Sequence, residues 1–125
     1  MATGDVMHVY IITQFRTKPG RFNDLIALIA RLLPESLDHD GCLEVCIQQN
    51  QDDPNDVISV QKWASRRHYD AYRTWRKKNG VTHDIEEFLT EAISVRYFDE
   101  VPMMRPDSRQ SAEVPKVGSA DALGG

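Results

Sequence analysis

The sequence has few cysteines, few glycines away from its ends and no long hydrophobic run. No apolar stretch of its 125 residues approaches the roughly 18 residues that a membrane-spanning helix needs. Residues 1–7 have neither the basic segment nor the apolar segment of a signal peptide. We therefore expect a cytoplasmic protein that neither enters a membrane nor is secreted.

Basic residues do not predominate. The chain has 15 Lys and Arg against 19 Asp and Glu, and its formal net charge is −4. Nucleic-acid-binding domains usually carry a basic excess that neutralises phosphates, so we expect no nucleic-acid partner. Of the seven glycines, three lie away from the ends, at Gly20, Gly41 and Gly80. They cannot form the Gly-rich phosphate loop of a nucleotide-binding domain.

The two cysteines, Cys42 and Cys46, lie in a segment with the pattern of a strand. Four residues of strand span about 13 Å, which exceeds the distance that a disulfide bridges. We predict free thiols, as expected in a reducing cytoplasm. The His and Cys residues lack the spacing of a zinc site, so the sequence predicts no metal.

Composition divides the chain into an arm, a domain and a tail. Residues 102–125 contain three of the six prolines and few bulky apolar residues. Such a segment cannot bury enough apolar surface to offset the entropy of ordering it. We interpret residues 102–125 as a flexible tail and residues 1–6 as a short arm, which leaves residues 7–101 as one domain with a modest core.

Hydrophobic periodicity predicts four strands in this domain. β-branched and aromatic residues, or alternating apolar and polar residues, indicate strands at 8–15, 43–48, 57–63 and 95–101. The turn residues at 52–55 predict that the second and third strands form an antiparallel hairpin.

Helical spacing of apolar residues predicts three helices. The first follows Gly20 and reaches nearly to Gly41, with a kink at Pro34. The second is capped by Ser65 and ends at Asn79-Gly80. The third begins at about Asp84 and buries the apolar residues Ile85, Phe88, Leu89 and Ala92.

The order β-α-β-β-α-α-β matches the ferredoxin-like split βαβ arrangement. This is an α+β fold in which a four-stranded antiparallel sheet carries its helices on one face. Strand residues such as Tyr10, Ile12, Val57 and Phe98 leave both faces of the sheet apolar. A monomer would expose the uncovered face to water, so we predict a two-fold homodimer in which these faces meet.

Four short motifs occur in an order and spacing typical of one family. They are Lys18-Pro19-Gly20, Gly41-Cys42-Leu43, Asp53-Pro54 and Gln61-Lys62-Trp63-Ala64-Ser65. On these motifs, residues 7–101 resemble the antibiotic biosynthesis monooxygenase superfamily, the dimeric α+β barrels. Family members often carry Glu at the position of Gln61.

The resemblance implies oxygenation of a small aromatic quinol or polyketide-type substrate by O2, with no metal or flavin cofactor. Such a substrate reacts as an anion, so the site needs a dry cavity, a proton acceptor and hydrogen-bond donors for the anion. Two alternatives stay open. One is a non-enzymatic dimeric module that binds a small ligand, and the other is an isomerase or lyase that needs no oxygen.

The second helix carries the predicted catalytic residues. Tyr72 occupies a position where many members of the resembled family have His, and His68 lies one turn earlier on the same face. We predict that His68 accepts the proton and that Tyr72 donates a hydrogen bond to the substrate anion. The structural alternative is a half-buried helix face whose polar tips reach water.

Four further residues are predicted to bind the substrate. Thr13 is the polar member of the buried set on the first strand, although a Thr bonded to the backbone is the alternative. Trp63 and Trp75 could wall a flat aromatic ligand, and Trp63 could equally be a packing residue. His83 could reach over the mouth of the cavity or flank the start of a helix.

Charged residues are dense on the last two predicted helices. We interpret them as solvent-exposed, and the alternative is a basic patch that attracts an anionic substrate. The residues are Arg66, Arg67, Arg73, Arg76, Lys77 and Lys78 on the second helix and Asp84, Glu86, Glu87 and Glu91 on the third.

Overall fold

The structure is a computed structural model, and it describes residues 8–103. The predicted arm at residues 1–6 lies outside the described residues, as does the predicted tail at 102–125 apart from its first two residues. No helix within the described range is long and apolar enough to cross a membrane.

The described residues form the predicted ferredoxin-like α+β fold, with four strands in one antiparallel sheet and three helices on one of its faces. The strand order is β2-β3-β1-β4, so the first and third strands are central. In chain order the elements are β1 (Val9–Arg16), α1 (Phe22–Asp38), β2 (Cys42–Gln49), β3 (Asp56–Trp63), α2 (Arg66–Lys78), α3 (Val81–Glu86) and β4 (Ser94–Asp99).

The buried apolar side chains described by the structure form two clusters under the helices. One cluster contains Val9, Ile11, Trp63 and Tyr69, and the other contains Phe15, Leu25, Val57 and Leu89. On β1 and β3, two polar residues separate the clusters. They are Thr13 and its cross-strand neighbour Ser59, both buried. The sheet therefore has a polar centre on its covered face.

The opposite face of the sheet carries no helix of the described chain. Its central residues alternate with the buried ones along β1 and β3 and are half-buried. The apolar ones are Tyr10, Ile12, Ile58, Val60 and, at the more exposed β4 position, Phe98. Val57 lies on the covered face, because it pairs with Phe15.

The predicted helix capping is confirmed, and α1 continues through Pro34 to Asp38. The Ser65 hydroxyl accepts a hydrogen bond from the His68 backbone N–H at 3.2 Å and caps α2. Helix α2 ends before Gly80, whose φ of 82° is left-handed.

The prediction for the third helix is wrong in its bounds. Helix α3 begins at Val81 and ends at Glu86, so Phe88 and Leu89 are not in it. The reason is that backbone bonds tie this segment to the end of β1. The Lys18 N–H donates to Phe88 O at 2.9 Å, and Leu89 forms an isolated β-bridge with Thr17.

Both cysteines are free thiols, as predicted. A register shift between Cys42 and Glu44 interrupts the alternation of β2. Cys42 consequently packs against the cluster that contains Trp63, whereas Cys46 is exposed. Burial raises the pKa of the Cys42 thiol, so this thiol is less reactive than an exposed one.

Gly41 allows the close packing of β2 against α2. Its φ is +89°, and a Cβ at this position would overlap the His68 imidazole. Gly20 has a similar φ of +79° but no neighbouring atom within 4 Å of that position. The two glycines therefore share the backbone requirement and differ in the steric one.

We expect Gly41→Ala to destabilise the fold more than Gly20→Ala. The left-handed φ costs about 1–2 kcal/mol in both variants, and the overlap with His68 adds about 1–3 kcal/mol in Gly41→Ala alone. Urea denaturation of the two variants measures the difference. Equal losses would contradict the close contact between Gly41 and His68.

Candidate active site

A cavity of about 320 Å³ lies between the covered face of the sheet and the helices. Its volume is in the range of sites for small ligands. Aliphatic residues such as Ile29, Ile47 and Val95 form part of its lining. Its polar lining residues are Thr13, Ser36, Ser59, Gln61, Tyr69, Tyr72, Arg73, Arg76, Lys77, Thr82 and Glu86.

The sheet side of the cavity contains a polar row, formed by Thr13, Ser59 and Gln61. Thr13 Oγ1 and Ser59 Oγ are 2.5 Å apart, and Gln61 Nε2 donates to Ser59 Oγ at 2.8 Å. The Trp63 indole N–H donates to Gln61 Oε1 at 2.8 Å. Because an indole N–H only donates, it fixes which end of the Gln61 amide faces Ser59.

The helix side contains a second polar group, the Arg76 cluster, formed by Ser36, Tyr72 and Arg76. Arg76 Nε donates to the Tyr72 hydroxyl at 3.1 Å, and Nη2 donates to Ser36 Oγ at 3.0 Å and to Leu32 O at 3.1 Å. The Tyr72 and Ser36 hydroxyl oxygens are 2.7 Å apart. These bonds connect α1 to α2 above the cavity.

Arg76 is buried, with 5% of its surface exposed, which corrects the expectation that it faces solvent. A buried guanidinium requires hydrogen-bond partners and a counter-charge. Here the Glu35 carboxylate supplies the counter-charge through a 3.0 Å contact to Nη1, while 63% of the Glu35 side chain stays exposed. Arg76 therefore brings a buried positive charge to the cavity wall, where Arg73 and Lys77 also lie.

Aromatic rings surround the Tyr72 side chain. The Trp63 ring lies 5.0 Å from that of Tyr72, and the Tyr69 ring lies 6.0 Å from it, between ring centroids. Tyr69 and Tyr72 line the cavity. Burial raises the pKa of Tyr69, so its phenol stays neutral at physiological pH.

Of the residues that the sequence predicts to bind substrate, Thr13 lies in the cavity wall, and so does the predicted anion donor Tyr72. Trp63 is fully buried behind the polar row, where its N–H orients Gln61. Trp75 does not line the cavity, and its ring lies 4.6 Å below the Arg76 guanidinium.

The two predicted histidines lie elsewhere. His68 is at the start of α2, where its Nδ1 lies 2.7 Å from Ser65 Oγ and its Nε2 lies 3.7 Å from Asp40. His83 is on α3, with 79% of its side chain exposed, and its Nε2 lies 3.4 Å from Glu87. Neither imidazole is part of the cavity lining.

Glu86 is a cavity residue that the sequence analysis assigned to solvent. It is half-buried, and its Oε2 accepts a hydrogen bond from the Ile93 backbone N–H at 3.0 Å. Among the lining residues within 8–103, it supplies the one carboxylate. It is therefore a candidate proton acceptor at the cavity wall.

Part of this site could have been found from the sequence. Arg76 follows Tyr72 by four residues, which places both on one face of a helix. Ser59 follows from the antiparallel register of β3 against β1, which places it opposite Thr13. Ser36 and Glu86 give no such signal, because their places depend on how α1 and α3 pack on the sheet.

The described residues contain no group of three or more His, Cys, Asp or Glu side chains arranged to hold a metal ion. The largest set of polar atoms at the cavity consists of hydroxyl, amide and guanidinium groups. These groups can form hydrogen bonds to a ligand.

A family model described as antibiotic biosynthesis monooxygenase matches residues 8–77, more than half of the chain. No curated protein matches the chain. The match includes the polar row and the Arg76 cluster and ends before α3.

Solved structures share the fold. A conserved protein from Methanosarcina mazei is 14% identical with a TM-score of 0.69, covering 78% of this chain and 97% of its own. An antibiotic biosynthesis monooxygenase is 20% identical with a TM-score of 0.67, and the match covers 75% of this chain and 99% of that protein. A protein from Mycobacterium tuberculosis is 20% identical with a TM-score of 0.65, and the match covers 80% of this chain and 99% of that protein.

We expect Arg76→Met to lower the free energy of unfolding by about 2 kcal/mol, because Leu32 O, Ser36 and Tyr72 all lose a charged donor. Arg67→Met is the matched control, since Arg67 is exposed on the same helix. We expect the control to change stability by less than about 0.5 kcal/mol. Equal effects in urea denaturation would show that the Arg76 cluster does not stabilise the fold.

Proposed function

Since the chain belongs to the antibiotic biosynthesis monooxygenase family, we propose that it oxygenates a small aromatic quinol or polyketide-type substrate without a cofactor. The observation that carries the proposal is the cavity itself. Aliphatic side chains form part of its lining, and hydrogen-bond donors approach it from the polar row on one side and the Arg76 cluster on the other. This combination suits a flat apolar ligand whose oxygen atoms become negative during reaction.

In the proposed reaction, O2 delivers one oxygen atom to a ring carbon and the other leaves as water. The substrate supplies four electrons and loses two hydrogen atoms, so atoms and electrons balance. The protein assists by favouring the substrate anion, which reduces O2 more readily than the neutral molecule. It therefore has to accept a proton and stabilise a negative oxygen.

Tyr72 is the proposed donor to that negative oxygen. Its phenol oxygen already accepts a hydrogen bond from Arg76, so its own proton is free to point to Ser36 or to a ligand. The Arg76 charge acts through a region of low dielectric constant, where electrostatic stabilisation is stronger than in water. Tyr72 and Arg76 would thus favour the substrate anion together.

Glu86 is the proposed proton acceptor. The sequence analysis gave this role to His68, but the His68 imidazole does not line the cavity and Glu86 does. The Ile93 backbone N–H holds one carboxylate oxygen, which leaves the other available for the substrate proton. A carboxylate at an apolar wall can carry out this transfer and return the proton to water.

The open sheet face supports the homodimer that the sequence predicts. Tyr10, Ile12, Ile58, Val60 and Phe98 form an apolar centre there. An apolar patch of this kind is typical of an association surface. We propose that two copies meet through this face about a two-fold axis, which leaves both cavities on the outer sides of the paired sheets.

Oxygen uptake by the metal-stripped protein tests the function, with hydroquinones, naphthols and anthrones as substrates and autoxidation subtracted. We expect a product that has gained one oxygen atom, and about a 100-fold loss of kcat/KM in Tyr72→Phe. Tyr97→Phe is the control. It also removes a tyrosine hydroxyl, from a ring that packs against Tyr69, but Tyr97 does not line the cavity. We expect its activity to match that of the unaltered protein.

The same assay compares Glu86→Gln with His68→Gln, and we expect a loss only in Glu86→Gln. The reverse result would return the proton-acceptor role to His68. Saturable ligand binding without oxygen uptake would instead identify a binding module. Turnover under anaerobic conditions would identify an isomerase or lyase, and either outcome would overturn the proposed oxygenation.

For the dimer, we expect Ile12→Glu to produce a monomer at micromolar concentration, because it would bury two charges at the sheet–sheet interface. Leu37→Glu adds the same charge at an exposed apolar position on α1 and should leave the dimer intact. Sedimentation velocity distinguishes the species. A monomeric unaltered protein would refute the proposed interface.

A further inference from the structure

We propose that Gln61 gives the polar row spare donor hydrogens at the cavity and that the row thereby binds a ligand oxygen that accepts them, such as a carbonyl or a phenolate oxygen. The inference deepens the proposed function, because it concerns the substrate of the same cavity. It differs from the Tyr72 and Arg76 assignment, which concerns the helix side.

The Trp63 side chain is fully buried and fixes the orientation of the Gln61 amide. Its indole N–H has no acceptor capacity, so the atom that it contacts at 2.8 Å must be the Gln61 amide oxygen. The Gln61 NH2 group then faces Ser59 Oγ, 2.8 Å away, and donates one of its two hydrogens to it. The second amide hydrogen has no acceptor among the described residues.

The Thr13 and Ser59 hydroxyls supply another spare hydrogen. Thr13 Oγ1 and Ser59 Oγ lie 2.5 Å apart, and one hydroxyl donates to the other. Two hydroxyl protons are present and this contact uses one. The other has no acceptor within the described part of the chain. Thr13 and Ser59 are 4% and 1% exposed and both line the cavity, so this proton is accessible from the cavity side.

The polar row consequently has two donor hydrogens to spare, one on an amide and one on a hydroxyl. Leaving buried donors unpaired costs free energy, and a ligand that accepts from them recovers it. A carbonyl or phenolate oxygen has its lone pairs available and no proton of its own to place. A ligand without an oxygen atom cannot accept from these donors and leaves both of them unpaired.

Replacing Gln61 by Glu removes this donor character without changing the size of the side chain. One carboxylate oxygen would accept from Trp63, and the other would accept the Ser59 proton. Ser59 would in turn accept the Thr13 proton. Every hydrogen of the row would then be committed, and a carbonyl oxygen would meet a negative charge.

The test measures the binding of α-tetralone, α-tetralol and tetralin by isothermal titration calorimetry. The three probes share one carbon skeleton and carry a carbonyl, a hydroxyl and no oxygen, and none requires turnover. We expect the unaltered protein to bind α-tetralone about tenfold more tightly than tetralin, and also to bind α-tetralol more tightly than tetralin, because both oxygens can accept from the row. Equal affinities, or no measurable binding of α-tetralone, would overturn the inference.

Gln61→Glu should abolish the preference for α-tetralone. Gln51→Glu is the matched control, because it adds the same charge on an exposed residue of the turn between β2 and β3, outside the cavity lining. We expect this control to keep the tenfold preference. A preference that survives in a folded Gln61→Glu variant would refute the role of Gln61, and the three-probe comparison on the unaltered protein stands even if that variant fails to fold.

The two proposals fail in distinguishable ways. If the protein prefers α-tetralone but consumes no oxygen, the proposed role of the polar row is supported and the proposed oxygenation is wrong. If the protein consumes oxygen but binds the three probes equally, the proposed oxygenation is supported and the proposed role of the polar row is wrong.

Discussion

The hydrogen bond between Thr13 and Ser59 at the centre of the sheet is the constraint on which the site depends. The register of β1 against β3 places these two small polar side chains opposite each other. Each would be costly to bury alone, and their mutual bond removes most of that cost. Because small polar residues fill less space than the apolar residues at either end, the core divides into two clusters around a cavity.

The helix side of the cavity depends on a different interaction, the buried guanidinium of Arg76. Its donors reach a hydroxyl on α1, a carbonyl on α1 and the phenol of Tyr72 on α2. A flexible point charge could not join these groups at once, whereas the planar fork of Arg does. The position of Tyr72, and with it the proposed stabilisation of an anion, is thus tied to the packing of α1 against α2.

The sequence was a good guide to elements whose signals are local. Ser65 predicts the start of α2 because its hydroxyl caps the adjacent backbone, and the residues at 52–55 predict the hairpin because they favour a turn. The end of α3 could not be predicted in this way. Leu89 has suitable spacing for a helix, but its backbone is held by Thr17 at the far end of the chain's first strand.

The sequence by itself determined the order of strands and helices, because periodicity and turn chemistry act between near neighbours. It also determined the buried face of β1, which is apolar except for Thr13 near its centre. Only the tertiary structure decided which polar residues meet in the cavity. His68 and Arg76 lie on the same helix, and the sequence predicted His68 in the site and Arg76 in solvent. Packing against β2 leaves His68 beside Gly41, outside the cavity lining, whereas packing against α1 surrounds Arg76 with acceptors. Burial of a charge depends on partners from distant segments, and residue type alone does not reveal them.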